Sequence, residues 1–310
     1  MIISASRRTD IPAFFSEWFL KRIEEGYLCV RNPMNAHQVS RIDISPDVAD
    51  AIVFWSKNPE PLLSCLEQLR EYTYYFQFTL NGYGWEIEKN VPSLDDRIDT
   101  FRTLSKLIGR ERVIWRYDPI FLNERFGLSW HHECFSYIAE QLHGYTDRCV
   151  MSFVDLYPRI GKNIQGLDIA EPEAQLIYAL AESFAKVAKA RSIRLFTCAE
   201  LIDLASYGIE HSHCIDAELI SEFLGAKLNV QKDKMQRAVC GCVSSIDIGA
   251  YNTCRHGCAY CYANHSLTTV QKNKELHDPD SPLLIGNIGE GDIVTERKVK
   301  SLITKQGELF

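Results

Sequence analysis

The sequence predicts an α/β protein built on a parallel (β/α) barrel with a cysteine-rich C-terminal segment, and three observations carry that prediction. Short β-branched or aromatic runs alternate with amphipathic stretches from the start to about residue 205. Polar and charged residues gather just after the apolar runs, where parallel strands would deliver them to one rim. Seven of the eleven cysteines then crowd between Cys198 and Cys261.

Taken in order, strands are predicted at 1–6, 51–55, 74–80, 112–117, 149–154 and 194–197. Helices are predicted at 14–25, 61–71, 94–108, 130–142 and 171–190, the last with Leu176, Leu180, Phe184 and Val187 at helical spacing. A short helix at 201–206 and another near 217–223 follow. The expected organisation is a (β/α) barrel core over 1–205, a cysteine-rich segment over 206–266 that completes the barrel, and an extended tail over 267–310. The tail is polar and broken by Gly and Pro, as in HDPDSPLLIGNIGEGD. Its end, KQGELF, carries an aromatic residue that would dock over the barrel mouth and exclude water.

A 310-residue chain that is 46% apolar and 24% charged has globular composition and enough length to bury a sizeable core. Its formal charge of −7 gives no overall attraction to phosphate backbones or anionic membranes, so nucleic acid is not expected as a partner. No stretch approaches the roughly 18 uninterrupted apolar residues of a membrane span. A cytoplasmic protein is expected, in which thiols pack, bind metal or react rather than form a disulfide framework. Cys29, Cys65, Cys134 and Cys149 stand singly in predicted elements and read as small core residues.

The rim residues are candidates by position. Lys57, Arg116 and Asp155 are catalytic candidates, and Ser6, Arg7, Arg8 and Asn81 are cofactor-binding candidates. The Arg7-Arg8 pair can hold a carboxylate or phosphate through bidentate hydrogen bonds; the plainer reading is a pair of surface arginines bridging to Asp10. His131 and His132 start a predicted helix and are expected to be exposed, while His211 and His213 are weaker metal-ligand candidates beside Cys214.

Cys254-x3-Cys258-x2-Cys261 places three thiols in a tight loop, with Gly257 allowing an unusual dihedral between two of them. Three ligands fit a four-iron cluster with one iron left open, since electron-transfer clusters normally use four cysteines. Zinc, with His256 or a further cysteine as fourth ligand, fits the same spacing. Cys198, Cys214, Cys240 and Cys242 flank the motif and as a set could hold a second iron–sulfur cluster, or stay unliganded.

The stretch AYNTCRHGCAYCYAN resembles the cluster loop of radical S-adenosylmethionine enzymes, and is especially similar to the spore photoproduct lyase-like branch. The aromatic residue before the third cysteine, here Tyr260, belongs to that resemblance and joins the cofactor-binding candidates. The resemblance implies a 4Fe-4S cluster on Cys254, Cys258 and Cys261, S-adenosylmethionine on the open iron, and release of a 5′-deoxyadenosyl radical. It also implies a reductant such as flavodoxin or ferredoxin, alongside a small-molecule substrate. In that superfamily the loop follows the first strand, so here the barrel would be permuted, with 245–251 as the strand beside 1–6. Val91-Pro92-Ser93, Arg97 and Asp118-Pro119-Ile120 resemble a helix start and strand end of the same branch. The glycine-glycine-acid motif of many members is absent from the predicted strand ends. Over nearly its full length, through SRRTDIP, FWSKNP, RYDPI, the cysteine segment and the polar tail, the chain resembles the domain of unknown function 1848 family. Two other readings stand beside the radical enzyme: a barrel hydrolase or isomerase with a structural zinc site, and a non-catalytic iron- or redox-sensing binding protein.

Overall fold

A computed structural model describes residues 1–156, 161 and 163–304. In chain order the elements are β1 (Ile2–Ala5), α1 (Ile11–Phe14), α2 (Ser16–Glu25), β2 (Tyr27–Asn32), β3 (Asn35–Asp43), β4 (Ala51–Ser56), α3 (Glu60–Leu63), β5 (Tyr74–Thr79), α4 (Leu94–Ile108), β6 (Val113–Ile120) and α5 (Leu128–Gln141). They continue with β7 (Arg148–Phe153), α6 (Ala174–Ala190), β8 (Arg194–Cys198), β9 (Glu210–Ser212), α7 (Ala217–Leu224), β10 (Ile246–Asp247), α8 (Leu267–Leu276) and β11 (Ile293–Arg297).

Eight strands form one sheet in the order β10-β1-β4-β5-β6-β7-β8-β9, and every neighbouring pair is parallel. The strand late in the chain lies beside the first, with Ile3 opposite Ile246 and Ser4 opposite Asp247. Among the described residues β9 and β10 remain the two ends of this order.

Alternate residues of each strand point to opposite faces. Ile3, Phe54, Phe76 and Trp115 meet the helices, packing with Trp18, Phe19, Phe101, Phe135 and Phe184. Here Phe135 stacks between Trp115 and Phe184, with ring centroids 4.7 and 4.1 Å away. Ile2, Val53, Tyr75, Ile114 and Val150 face the other way and pack against Ile215 and against Leu219 and Ile220 of α7. Burial on both faces explains why strands such as AIVFWS read as continuous apolar runs.

Several details depart from expectation. The span 27–43, given no element from sequence, is an antiparallel hairpin of β2 and β3, and β11 adds to β3 in parallel. Residues 267–304 are therefore not merely an extended tail: they carry α8 and β11. Beyond β11, Leu302 N donates to Asp50 Oδ2 (2.8 Å), and Asn229 N donates to Leu302 O (2.8 Å). KQGELF lies outside the described residues. The predicted helix 61–71 breaks into α3 and a 3-10 turn at Leu66–Leu69, and 201–206 holds only the start of a 3-10 turn at Ala205–Tyr207. His131 is buried rather than exposed, its ring nitrogens 2.9 Å from Tyr117 Oη and from Phe121 O, and burial lowers its pKa to about 4. His132 is exposed as expected. Cys29 and Cys149 are buried, whereas Cys65 and Cys134 are half-buried against the main core.

Candidate functional site

Parallel strands share one carboxyl edge, so the loops after β1, β4, β5, β6, β7, β8, β9 and β10 open on the same side of the sheet. The cysteine loop follows β10. It is anchored by Asp247, whose carboxylate accepts from Ser4 Oγ (2.8 Å), Ser6 Oγ (2.7 Å), Arg7 N (2.9 Å) and Gly249 N (3.0 Å). A Cβ on Gly249 would stand 2.2 Å from Ser6 Oγ, so only glycine permits this approach. Ser6 also accepts from Arg8 N (2.9 Å), which makes it a turn-forming group at this edge.

Asn252 closes the loop. Its backbone is left-handed (φ +56), its N–H donates to Ala263 O (2.9 Å), and its Oδ1 accepts from His265 N (2.9 Å) and Ser266 N (3.1 Å). Asn264 Nδ2 donates to Cys254 O (2.6 Å). Gly257 has φ +68, the left-handed conformation expected of it between the first and second motif cysteines.

Cys258 is buried and Cys254 and Cys261 are half-buried. Cys254 Sγ accepts from the backbone N–H groups of His256 and Asp10, and Cys261 Sγ from those of Ala263 and Asn264. Burial pushes all three thiols above the ordinary range, so ligation would require a metal to draw off their protons. His256 Nε2 lies 2.8 Å from Asp10 Oδ2, and its ring packs 4.6 Å from that of Phe14. Asp10 also accepts from Ser56 Oγ (2.7 Å) and Lys57 N (2.8 Å), so it ties β4 to the loop rather than pairing with the arginines. Among the described residues, no group of three or more His, Cys, Asp or Glu is arranged to hold a metal ion. A tetrahedral zinc site needs four donors about 2.0–2.3 Å from one point. The ligands of a four-iron cluster each bind a different iron and need no common point.

Residues 87–88 run antiparallel to the motif, with Glu88 bridged to Cys258 and Ala259 N donating to Ile87 O (2.8 Å). This buries Glu88, whose Oε1 accepts from Lys57 Nζ (2.8 Å) and from Tyr260 Oη, while Oε2 lies 3.6 Å from Arg97. Burial opposes ionisation of Glu88, yet Lys57 and Arg97 outweigh it and hold the carboxyl below the ordinary range. Arg97 donates to Asn81 O (3.0 Å), and Asn81 Nδ2 to Asp118 O (3.1 Å). Lys57, Tyr260 and Asn81 are thus brought together beside Cys258. Buried atoms without hydrogen-bond partners cluster here: Asn81 Oδ1, Glu88 Oε2, Arg97 NH1, His256 Nδ1 and Asn264 Oδ1.

A second group lies further along the edge. Arg116 donates to Asp118 Oδ2 (2.9 Å), Gln77 Oε1 (3.3 Å) and Cys214 Sγ (3.0 Å). Cys198 Sγ is 3.0 Å from Cys214 Sγ, and thiol hydrogen bonds continue from Cys214 to Cys242 and from Cys242 to Cys240. Arg7 lies over the Trp55 ring (5.2 Å), near the Cys242 and Cys214 thiols and the Asp247 carboxylate. Arg8 lies over Tyr251 (5.1 Å) and 3.9 Å from Asp247. Asp155 stands apart from both groups: its side chain is 44% exposed and pairs with Arg237 at 2.6 and 2.7 Å. Near it Glu200, which accepts from Phe153 N (2.9 Å), is raised by burial to about 7. His211 Nδ1 lies 2.8 Å from Thr197 Oγ1.

Glu88, Asp247, Asn252, Asn264 and Arg97 were not assigned site roles from sequence. Glu88 and Arg97 lie in segments with no strand pattern, and each finds its partner only through the fold. The one available signal was the Asn-Thr-Cys and Ala-Asn-His flanks of the motif, where asparagines bracket the thiols at both ends.

Fold and site together define an α/β protein whose eight-stranded parallel sheet carries a thiol-rich site at the strand carboxyl ends. The family profile described as "Domain of unknown function (DUF1848)" matches residues 2–263, and the chain belongs to that family. No curated protein matches the chain. Among solved structures it is similar to a candidate alpha-L-fucosidase from Bacteroides thetaiotaomicron VPI-5482, at 13% identity over 57% of this chain and 84% of that one. The TM-score is 0.27, too low to bear on fold or function.

Proposed function

We propose that this chain is a radical S-adenosylmethionine enzyme that binds a 4Fe-4S cluster through Cys254, Cys258 and Cys261 and acts on a small molecule. The observation that carries the reading is the position of the loop: three thiols directly after a strand of a parallel sheet, at the edge where neighbouring strands deliver polar groups. The eight-strand sheet is read as a barrel in this proposal, permuted so that β10 takes the first place. Backbone N–H groups already point at Cys254 and Cys261 Sγ, as sulfurs bound to iron require for tuning. The unpartnered buried atoms beside Cys258 offer acceptors and donors of the kind an amino acid cofactor needs.

When bound, the cluster and S-adenosylmethionine supply reductive cleavage of a sulfonium and abstraction of a hydrogen atom, with the electron coming from a flavodoxin or ferredoxin. The chain's own residues bind and orient. Asn81 Oδ1 and Glu88 Oε2 can accept from an ammonium, while Arg7 can hold a carboxylate. Tyr260 and the Lys57–Glu88 pair wall the site beside Cys258. Glu200, raised to about 7, can hold or release a proton at the far side of the edge.

The test is anaerobic reconstitution with iron and sulfide, then dithionite and S-adenosylmethionine. About four irons per chain from the loop and production of 5′-deoxyadenosine are expected, both lost in Cys258→Ala. Undiminished cleavage in that variant would contradict the assignment. One zinc and no iron would instead return the hydrolase or isomerase reading, and iron without cofactor cleavage the sensor reading.

A further inference from the structure

We propose that Cys198, Cys214, Cys240 and Cys242 hold a second iron–sulfur cluster, independent of the Cys254–Cys261 loop. The four thiols come from three separate parts of the chain. Cys198 ends β8, Cys214 lies two residues beyond β9, and Cys240 and Cys242 sit on a turn closed by Ser244 N donating to Gln231 O (2.8 Å) and Asp233 N to Cys242 O (2.9 Å). Nothing in their sequence spacing brings them together, yet they form one chain of sulfur contacts, closest at 3.0 Å between Cys198 and Cys214. Ile215 N donates to Cys242 Sγ (3.4 Å), and Tyr75 Oη and Gln77 Nε2 both donate to Cys214 O, at 2.6 and 3.0 Å. These bonds fix the backbone that carries the thiols.

The charge around them fits a thiolate-bound centre. Four cysteinates around an iron–sulfur core leave net negative charge in a buried place, which is costly unless opposed. Arg116 reaches Cys214 Sγ at 3.0 Å, and Arg7 faces Cys242 and Cys214 with its buried NH2 still lacking a partner. Arg116 also pairs with Asp118, so the charge it adds here is partly balanced, whereas Arg7 NH2 has no hydrogen-bond partner. The thiols run in the order Cys198, Cys214, Cys242, Cys240 rather than around a single point. That arrangement favours a multinuclear centre, in which ligands are shared among irons, over one tetrahedral ion. Arg7 also joins the two thiol groups, since its carbonyl accepts from Tyr262 Oη (2.9 Å), next in the chain to Cys261.

Two variants of the full-length chain separate this centre from the loop: Cys254→Ala/Cys258→Ala/Cys261→Ala, and Cys198→Ala/Cys214→Ala. Each is reconstituted anaerobically with iron and sulfide and assayed for iron, acid-labile sulfide, zinc and the electron paramagnetic resonance of the reduced protein. The triple variant should keep roughly two or four irons with equal sulfide, and adding Cys198→Ala/Cys214→Ala should remove them. A folded triple variant without iron and sulfide, or with zinc in their place, overturns the proposal. If that variant does not fold, Cys198→Ala/Cys214→Ala alone decides: it should lose the same share of iron, and unchanged iron content refutes the second centre. Failure of the loop reading looks different, as equal iron in the native chain and the triple variant.

Discussion

At the scale of single residues the site is governed by two carboxylates, the half-buried Glu200 and the buried Glu88, shifted in opposite directions. Glu200 rises to about 7 through burial, with Asp155 adding to the rise and Phe153 N opposing it. The native protein therefore holds a proton that the unfolded chain has released, and stability falls as pH rises from the ordinary value of 4.5 to about 7. The loss should be of order 1–3 kcal/mol, measurable by urea unfolding at pH 5 and pH 8. It should vanish in Glu200→Gln, and an unchanged slope there would assign it to another group. Glu88 is the converse: held below the ordinary carboxylate range, it contributes stability above that range that disappears as pH falls. Glu88→Ala leaves Lys57 and Arg97 facing each other in the interior and should cost roughly 3–5 kcal/mol. Lys57 was legible from sequence as a polar residue after an apolar strand. Its partner was not, because Glu88 lies 31 residues further on in a stretch that reads as a solvated loop.

Elements were legible where the pattern was long. Leu94–Ile108 was predicted to the residue, helped by Ser93, which caps it by accepting from Asp96 N (3.2 Å), and by Gly109 at its end. The span 27–43 was passed over although Leu28, Val30, Val39 and Ile42 carry a strand signal around Asn-Pro-Met-Asn; its β3 begins with four exposed residues that dilute the pattern. Phe135→Ala removes the ring stacked between Trp115 and Phe184 and should destabilise by about 3–5 kcal/mol in thermal or urea unfolding. The cysteine loop is an element in its own right, and Asn252 is its closure. Asn252→Ala loses three side-chain bonds, the third between its Nδ2 and His265 Nε2 (3.0 Å), and strains a left-handed residue, at about 1–3 kcal/mol. Hydrogen exchange should then speed up at His265 and Ser266 while β4 to β7 stay protected. Asn252→Gly keeps the dihedral and loses the bonds, so equal effects in the two variants would place the cost in the bonds alone.

Across the whole molecule, the last described residues secure the first. Asp50 accepts from Ser301 Oγ and Leu302 N and pairs with the Met1 ammonium (2.5 Å), next to the amino ends of β1 and β4. Asp50→Ala should release residues 293–304, seen as new proteolytic cleavage there and a loss of about 1–3 kcal/mol; protection equal to the native chain would show that β11 holds the segment unaided. By itself the sequence determined a parallel α/β architecture, the six major strands of its sheet, and the Cys254–Cys261 loop with its left-handed Gly257. Those features rest on periodicity and spacing within a few residues, which local sterics and the alternation of polar and apolar side chains impose. Only the tertiary structure decided that Cys198, Cys214, Cys240 and Cys242 meet, that Asp247 anchors the turn after β1, that Glu88 lies under Tyr260, and that the tail returns to Asp50. Each of these joins residues far apart in the chain, and their meeting depends on how strands order in the sheet and where loops cross its edge, which no local pattern encodes.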